Sequence, residues 1–175
     1  MSKLERSKLT LDDHLKQVLI GNLLGDAYMR RFSNKSNTRI IFRQGSKNTE
    51  YLLHLYNIYK QFVLSSPAIY AIVDKSSGKT RNNISFATVA LPCFNKFFDE
   101  FYMDGKKVIP APLHPVDLTA VSLAALHPPR GNGIMDDGGY TGSGLKLYTN
   151  AFSLEDLNLL VEALNKNFSI SVTIH

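Results

Sequence analysis

Two aspartates are the groups in this chain best suited to chemistry. Asp26 closes the stretch Leu19-Ile-Gly-Asn-Leu-Leu-Gly25, and Asp137 closes Ile134-Met-Asp136. Glycine costs a helix about 1 kcal/mol relative to alanine. Gly21 and Gly25, four apart on one helical face, therefore predict the close approach of another backbone, on sterics best attested between membrane helices. If the two helices pair, their carboxylates converge. Carboxylates that close repel unless a proton or a cation lies between them. Mg²⁺ takes oxygen ligands, typically one or two carboxylates with waters and substrate phosphates. Such a pair can clamp the attacking water and the leaving oxygen of a phosphodiester. A lone aspartate after glycine is more simply a cap or turn residue; the paired context is what argues for chemistry.

The elements needed to position that pair run along the chain in two passes. Thr10-Leu-Asp-Asp13 reads as a capping box, opening a helix that carries Leu15, Val18, Leu19, Leu23 and Leu24 towards Asp26. Residues 30–37 read as a polar loop, and Thr38–Gln44 as a strand of β-branched and aromatic residues between cations. A helix is expected over Tyr51–Val63, then strands over Ile69–Val73 and Asn83–Val89 joined by a basic turn containing Gly78. A helix from about Pro92 to Met103 places Phe94, Phe97, Phe98 and Phe101 in the core. Lys106–Pro110 and the prolines that follow read as a linker. The second pass predicts a helix from Asp117 to about Leu126, a strand over Gly144–Thr149, a helix over Leu154–Lys166 and a strand over Ser169–Ile174.

Composition limits the alternatives. At 175 residues with 44% apolar content, the chain can fill one core or two small halves that share one. The formal charge of +5 is scattered, which suits a polyanion-binding surface. A single cysteine, Cys93, excludes an internal disulfide and reads as a small buried hydrophobe. No apolar run approaches the roughly 18–20 residues needed to span a bilayer, and the first residues resemble no signal or transit sequence. A soluble protein with no membrane partner is expected. The five histidines show no metal-ligand spacing, and Ser76–Thr80 lacks the first glycine of a phosphate loop.

Leu-Leu-Gly-Asp-Ala-Tyr28 and Met-Asp-Asp-Gly-Gly139 resemble the two signature motifs of the LAGLIDADG homing endonucleases. The two-motif, single-chain branch similar to the mitochondrial omega-intron endonuclease fits best. Gln44–Leu52, Lys106–Pro110, Leu118–Ala124 and Thr149–Asp156 extend the resemblance over nearly the whole chain. It implies an α+β fold of two pseudo-symmetric αββαββα units, residues 1–110 and 111–175, whose motif helices form the central interface. Their antiparallel sheets make a saddle in the DNA major groove.

The same resemblance implies that Asp26 and Asp137 bind the metal, Mg²⁺ or Mn²⁺, with Asp136 a structural neighbour. Lys107 maps to a basic residue that orders water or steadies phosphate charge. Gln44 would sit near the metal waters or contact a base or phosphate. Arg39, Arg43, Lys75, Lys79, Arg81 and Asn83 lie on or beside the hairpins that a saddle would present to DNA, where arginine can read guanine, asparagine adenine, and lysine neutralises phosphate. A monomer acting on double-stranded DNA is expected, encoded in a mitochondrion or chloroplast, with intron RNA as a second possible partner.

Two departures from the pattern bear on activity. Residues Ala125–Ile134 include His127-Pro-Pro-Arg-Gly-Asn-Gly133, and a proline inside a helix costs about 3 kcal/mol or more. An uninterrupted second motif helix is therefore not expected. The closing strand and helix of the second unit have no counterpart before His175, so that unit reads as truncated, with a sheet edge exposed. Three readings follow: a metal-dependent site-specific endonuclease, an intron RNA maturase, and a DNA-binding remnant without catalysis.

Overall fold

The computed structural model describes residues 2–73, 78–111, 118–126 and 152–174. Asp137, Asp136, Lys75, residues 127–134 and the strand expected over Gly144–Thr149 lie outside them. Six α-helices occur among the described residues: α1 Lys3–Lys8, α2 Asp13–Leu24, α3 Thr49–Tyr59, α4 Asn95–Phe101, α5 Ala120–Leu126 and α6 Leu154–Phe168. Six strands accompany them: β1 Tyr28–Arg30, β2 Arg39–Gly45, β3 Ala68–Val73, β4 Thr80–Ala87, β5 Tyr102–Met103 and β6 Lys106–Lys107. The first four form one antiparallel sheet in the order β1-β2-β4-β3, and the last two a short hairpin.

Along β1, β2 and the second half of β4 the sheet has one buried face and one open face, as the alternation along β2 dictates, whereas the edge strand β3 is exposed on both. Ile40, Phe42 and Gln44 point into the core with Met29, Ile84 and Phe86. Arg39, Ile41 and Arg43 point the other way. Phe42 packs against Phe86 and Tyr59 with ring centroids 4.7 Å apart in each case, so α3 is fastened to the sheet through aromatic contacts. Phe94, Phe97 and Phe101 are buried as expected, while Phe98 is half-buried and stacks on Tyr102.

α2 is buried on several sides: Leu15, Val18, Leu19, Ile20, Leu23 and Leu24 all lie in the core. Its partner on the side away from the sheet is α5. A Cβ at Gly21 would overlap the Ser122 carbonyl oxygen and come within 2.8 Å of Ala125 Cβ. Gly21 is thus the position where the two backbones meet. Gly25 has a different task. It is the C-cap, leaving the helix at φ −98°, ψ −132°, with its N–H donating to Gly21 O at 3.1 Å.

Several expectations are corrected. The N-cap of α2 is Asp12, whose carboxylate accepts from Leu15 N at 2.7 Å; Thr10 lies two residues too early. β1 begins at Tyr28, inside what reads as the approach to a loop. Residues 102–107 form a hairpin around Asp104 and Gly105, both at positive φ, in place of a helix end and a linker. α5 starts at Ala120; Leu118 and Thr119, inside the expected helix, are not helical. Residues 169–174 follow α6 without strand pairing among the described residues.

Candidate active site and nucleic-acid interface

Asp26 stands where α2 ends and β1 begins, and it is exposed. Three features fix it there. The backbone folds back through Ala27 N, which donates to Asn22 O at 3.0 Å. Gln44 Nε2, from the end of β2, donates to Asp26 Oδ2 at 2.9 Å. Asn48 Nδ2 in turn donates to Gln44 Oε1 at 3.1 Å, which orients the amide. Gln44 therefore belongs to the buried side of the sheet and supports the carboxylate directly; it does not share the open face with the arginines.

Lys107 arrives from the opposite side. Its ammonium donates to Gly25 O at 2.8 Å and Ala27 O at 2.9 Å, the two carbonyls that flank Asp26. The β5–β6 hairpin delivers it, and that hairpin is pinned to β1 by the Tyr102 hydroxyl accepting from Met29 N at 2.8 Å. Burial pulls the Lys107 ammonium down to about 8, against the opposing pull of Asp26. It lies over the Phe152 ring at 5.3 Å, and Asp156 Oδ1 accepts from Ile109 N at 2.9 Å, tying the same segment to α6. Asp156 also completes the capping box of α6 with Ser153.

A small pocket opens beside Asp26, lined in part by Asn22, Arg43, Gln44, Tyr51 and Ala125. Here sequence reasoning missed a network. Ala125 O, in the last turn of α5, accepts from Asn22 Nδ2 at 3.1 Å and from Tyr51 Oη at 3.3 Å. Tyr59 Oη donates to the other end of the Asn22 amide at 3.3 Å. Burial pushes the Tyr51 and Tyr59 hydroxyls far above their ordinary range, so both remain donors. The signal in the sequence was Asn22 itself, a polar residue inside an apolar helical stripe; such a group is buried only with partners.

The open face of the sheet carries the expected cations. The register pairs Arg30 with Arg39, Arg43 with Ser85, Tyr70 with Asn83 and Ile72 with Arg81. Arg39, Arg43, Arg81 and Asn83 accordingly share one surface. Arg43 is exposed and sits between the Tyr28 and Tyr70 rings, 5.9 and 5.7 Å from their centroids. Lys79 is exposed just before β4. Arg31 is different: its guanidinium bonds Asp99 at 2.7 Å, Asn95 O and Thr38 Oγ1 while covering Phe98, and so holds the first loop to α4.

An antiparallel sheet with one basic face, and a carboxylate at the end of a tightly packed helix pair, are the two features that mark this α+β protein. Residues 16–175 match the LAGLIDADG DNA endonuclease family, and the chain belongs to it. It is 34% identical over 167 residues to a cytochrome b mRNA maturase bI2 of Debaryomyces hansenii, and 32% over 172 residues to that of Saccharomyces cerevisiae. Each alignment covers 94% of this chain, which spans 61% and 39% of those relatives' lengths. A probable intron-encoded endonuclease 1 of Wickerhamomyces canadensis is 28% identical over 174 residues, with 94% of this chain and 70% of the relative covered. The fold matches the homing endonuclease I-WcaI bound to its DNA recognition sequence. The TM-score is 0.77 at 26% identity, covering 95% of this chain and 73% of that one.

Proposed function

We propose that this chain is a site-specific, divalent-metal-dependent double-strand DNA endonuclease of the intron-homing kind. One observation carries the reading: Gln44 and Lys107 converge on Asp26 at the end of the α2–α5 helix pair, next to a sheet face bearing Arg39, Arg43 and Arg81. The domain reading is two half-units, residues 1–110 and 111–175, acting as a monomer.

The residues present suit a hard cation. Asp26 offers an exposed carboxylate, and no cluster of three or more His, Cys, Asp or Glu occurs among the described residues. A cation here would rest on Asp26, on waters and substrate phosphates, and on Asp137, a donor set suited to Mg²⁺ or Mn²⁺. Bound metal supplies Lewis-acid polarisation of the phosphoryl oxygens. The chain's own groups do the rest. Gln44 orients the Asp26 carboxylate through Oδ2. Lys107, mostly protonated at neutral pH, offsets charge developing on the phosphate. Arg43, Arg39, Arg81, Asn83, Lys75 and Lys79 grip or read the duplex.

The test is cleavage of a plasmid library of random target sites with Mg²⁺ and with Ca²⁺. Mg²⁺-dependent double-strand cuts at one long site, abolished by Asp26→Asn while DNA binding persists, support the reading. A folded wild-type protein that never cuts would sink it. The two maturase relatives favour one alternative, an intron RNA splicing partner; in that case Asp26→Asn leaves splicing help intact. Those relatives also favour an organelle-encoded, mitochondrial product over a chloroplast one.

A further inference from the structure

The far end of the sheet sets Arg39, so far assigned only to the DNA-facing surface as a whole, in an arrangement that strand pairing does not explain. Arg30 and Arg39 are direct cross-strand partners on the open face. Like charges so placed destabilise a strand pair. Neither has a carboxylate partner among the described residues, and Arg39 Nε is buried without a hydrogen-bond acceptor. Between them stands Phe32, which is 66% exposed, with the Arg30 and Arg39 guanidiniums 4.8 and 5.0 Å from its ring centroid. The neighbouring Arg31 shows what a structural arginine looks like here: it is mostly buried and satisfied by four partners.

We infer that Arg30, Phe32 and Arg39 form a clamp for a single backbone phosphate of duplex DNA. The inference rests on the DNA-binding reading above and extends it to a site that the motifs do not mark. The ring holds both guanidiniums close to one point, and a planar fork of donors suits phosphate oxygens. Two like charges forced together call for a formal anion, which a neutral base edge does not supply. The place is also determined. Arg39 lies five residues along β2 from Gln44, about 17 Å at about 3.4 Å per residue. The clamp would therefore fall about five base pairs from the phosphate held at Asp26.

The test is binding of the full chain to a mixed-sequence duplex in Ca²⁺, measured from about 50 to about 200 mM salt. Arg30→Gln, Arg39→Gln and the double variant are compared with wild type, each checked to melt no lower than wild type. The double variant should bind on the order of tenfold more weakly at low salt, and its salt slope should fall by about 0.9, the loss of one phosphate. Each single variant should show most of that change, because the phosphate is shared. Phe32→Ala, which keeps both charges, should also weaken binding. Unchanged affinity and slope in all variants overturn the clamp while leaving the DNA reading standing. Additive losses totalling about 1.8 in slope overturn the sharing. An unchanged slope with lost preference at one base pair overturns phosphate in favour of base readout. Wild-type protein with no affinity for duplex DNA overturns the clamp and the reading together.

Discussion

Gly21→Ala is the sharpest test of the helix pair on which the candidate site depends. The substitution adds one methyl group to α2, and in an isolated helix it would gain about 1 kcal/mol. Here the new Cβ meets the α5 backbone. It overlaps the Ser122 carbonyl oxygen and comes within 2.8 Å of the Ser122 carbonyl carbon and Ala125 Cβ. Restoring ordinary carbon–carbon separation of about 3.5–4.0 Å requires the helices to part by roughly 1 Å. Overpacking of this kind costs about 1–3 kcal/mol, at the upper end where the obstacle is backbone that cannot swing aside. A net loss of about 1–2 kcal/mol is expected after the propensity gain. The separation also moves Asp26 relative to whatever α5 leads into, and a misplacement of about 1 Å can cost on the order of 10²-fold in rate. Urea denaturation and single-turnover cleavage read the two effects. Gly45→Ala is the control, since a Cβ there meets nothing within 4 Å at an ordinary φ of −62°. A Gly21→Ala protein as stable as wild type, cutting at the wild-type rate, would refute the argument.

Lys107 makes stability depend on pH in a window set by its shift. Folded, it titrates at about 8; unfolded, near about 10.4. Between those values the unfolded chain holds the extra proton, so stability rises as pH climbs through the window. In chelated, metal-free buffer the gain should be on the order of 1–3 kcal/mol and absent from Lys107→Met; equal pH slopes for the two proteins would count against it. Arg31 and Arg43 should separate structure from binding. Arg31→Met should cost about 1–3 kcal/mol in unfolding experiments and leave DNA affinity unchanged at temperatures where it is folded. Arg43→Gln should do the reverse, staying within about 0.5 kcal/mol of wild type in stability while weakening duplex binding on a filter or anisotropy assay.

Much of the frame was legible because its signals are local. The apolar stripe of α2 and the alternation along β2 assign both elements and both faces of the sheet. The Gly21 spacing also foretold a backbone contact. Other signals were present but went unread. Ser2 and Glu5 form the capping box that starts α1, and Asp104-Gly105 is the dipeptide of a tight hairpin. Thr10 and Asp12 both fit a cap pattern, and only the bond to Leu15 N decides between them. The β-branched residues 169–174 suggest a strand, but a strand needs a neighbour, and propensity does not supply one. The Asn22–Ala125 contact joins residues 103 apart, so nothing in either neighbourhood announces it. Lys107 was assigned by motif alone; its approach depends on how β5 and β6 dock onto β1.

That separation of 103 residues between Asn22 and Ala125 has a consequence in time. A ribosome adding about 5–20 residues per second completes α2 roughly 5–20 s before the partner of its Gly21 face exists. During that interval the sheet, α3 and α4 can close over the other side of α2, since their sequences lie between. The Gly21 groove must wait with Asn22 unpaired to α5, a nascent surface open to chaperones or to a neighbouring chain. Docking of α5 thus comes only after the sheet, α3 and α4 have been synthesised, with α6 still to follow, and it is the same step that sets the surroundings of Asp26.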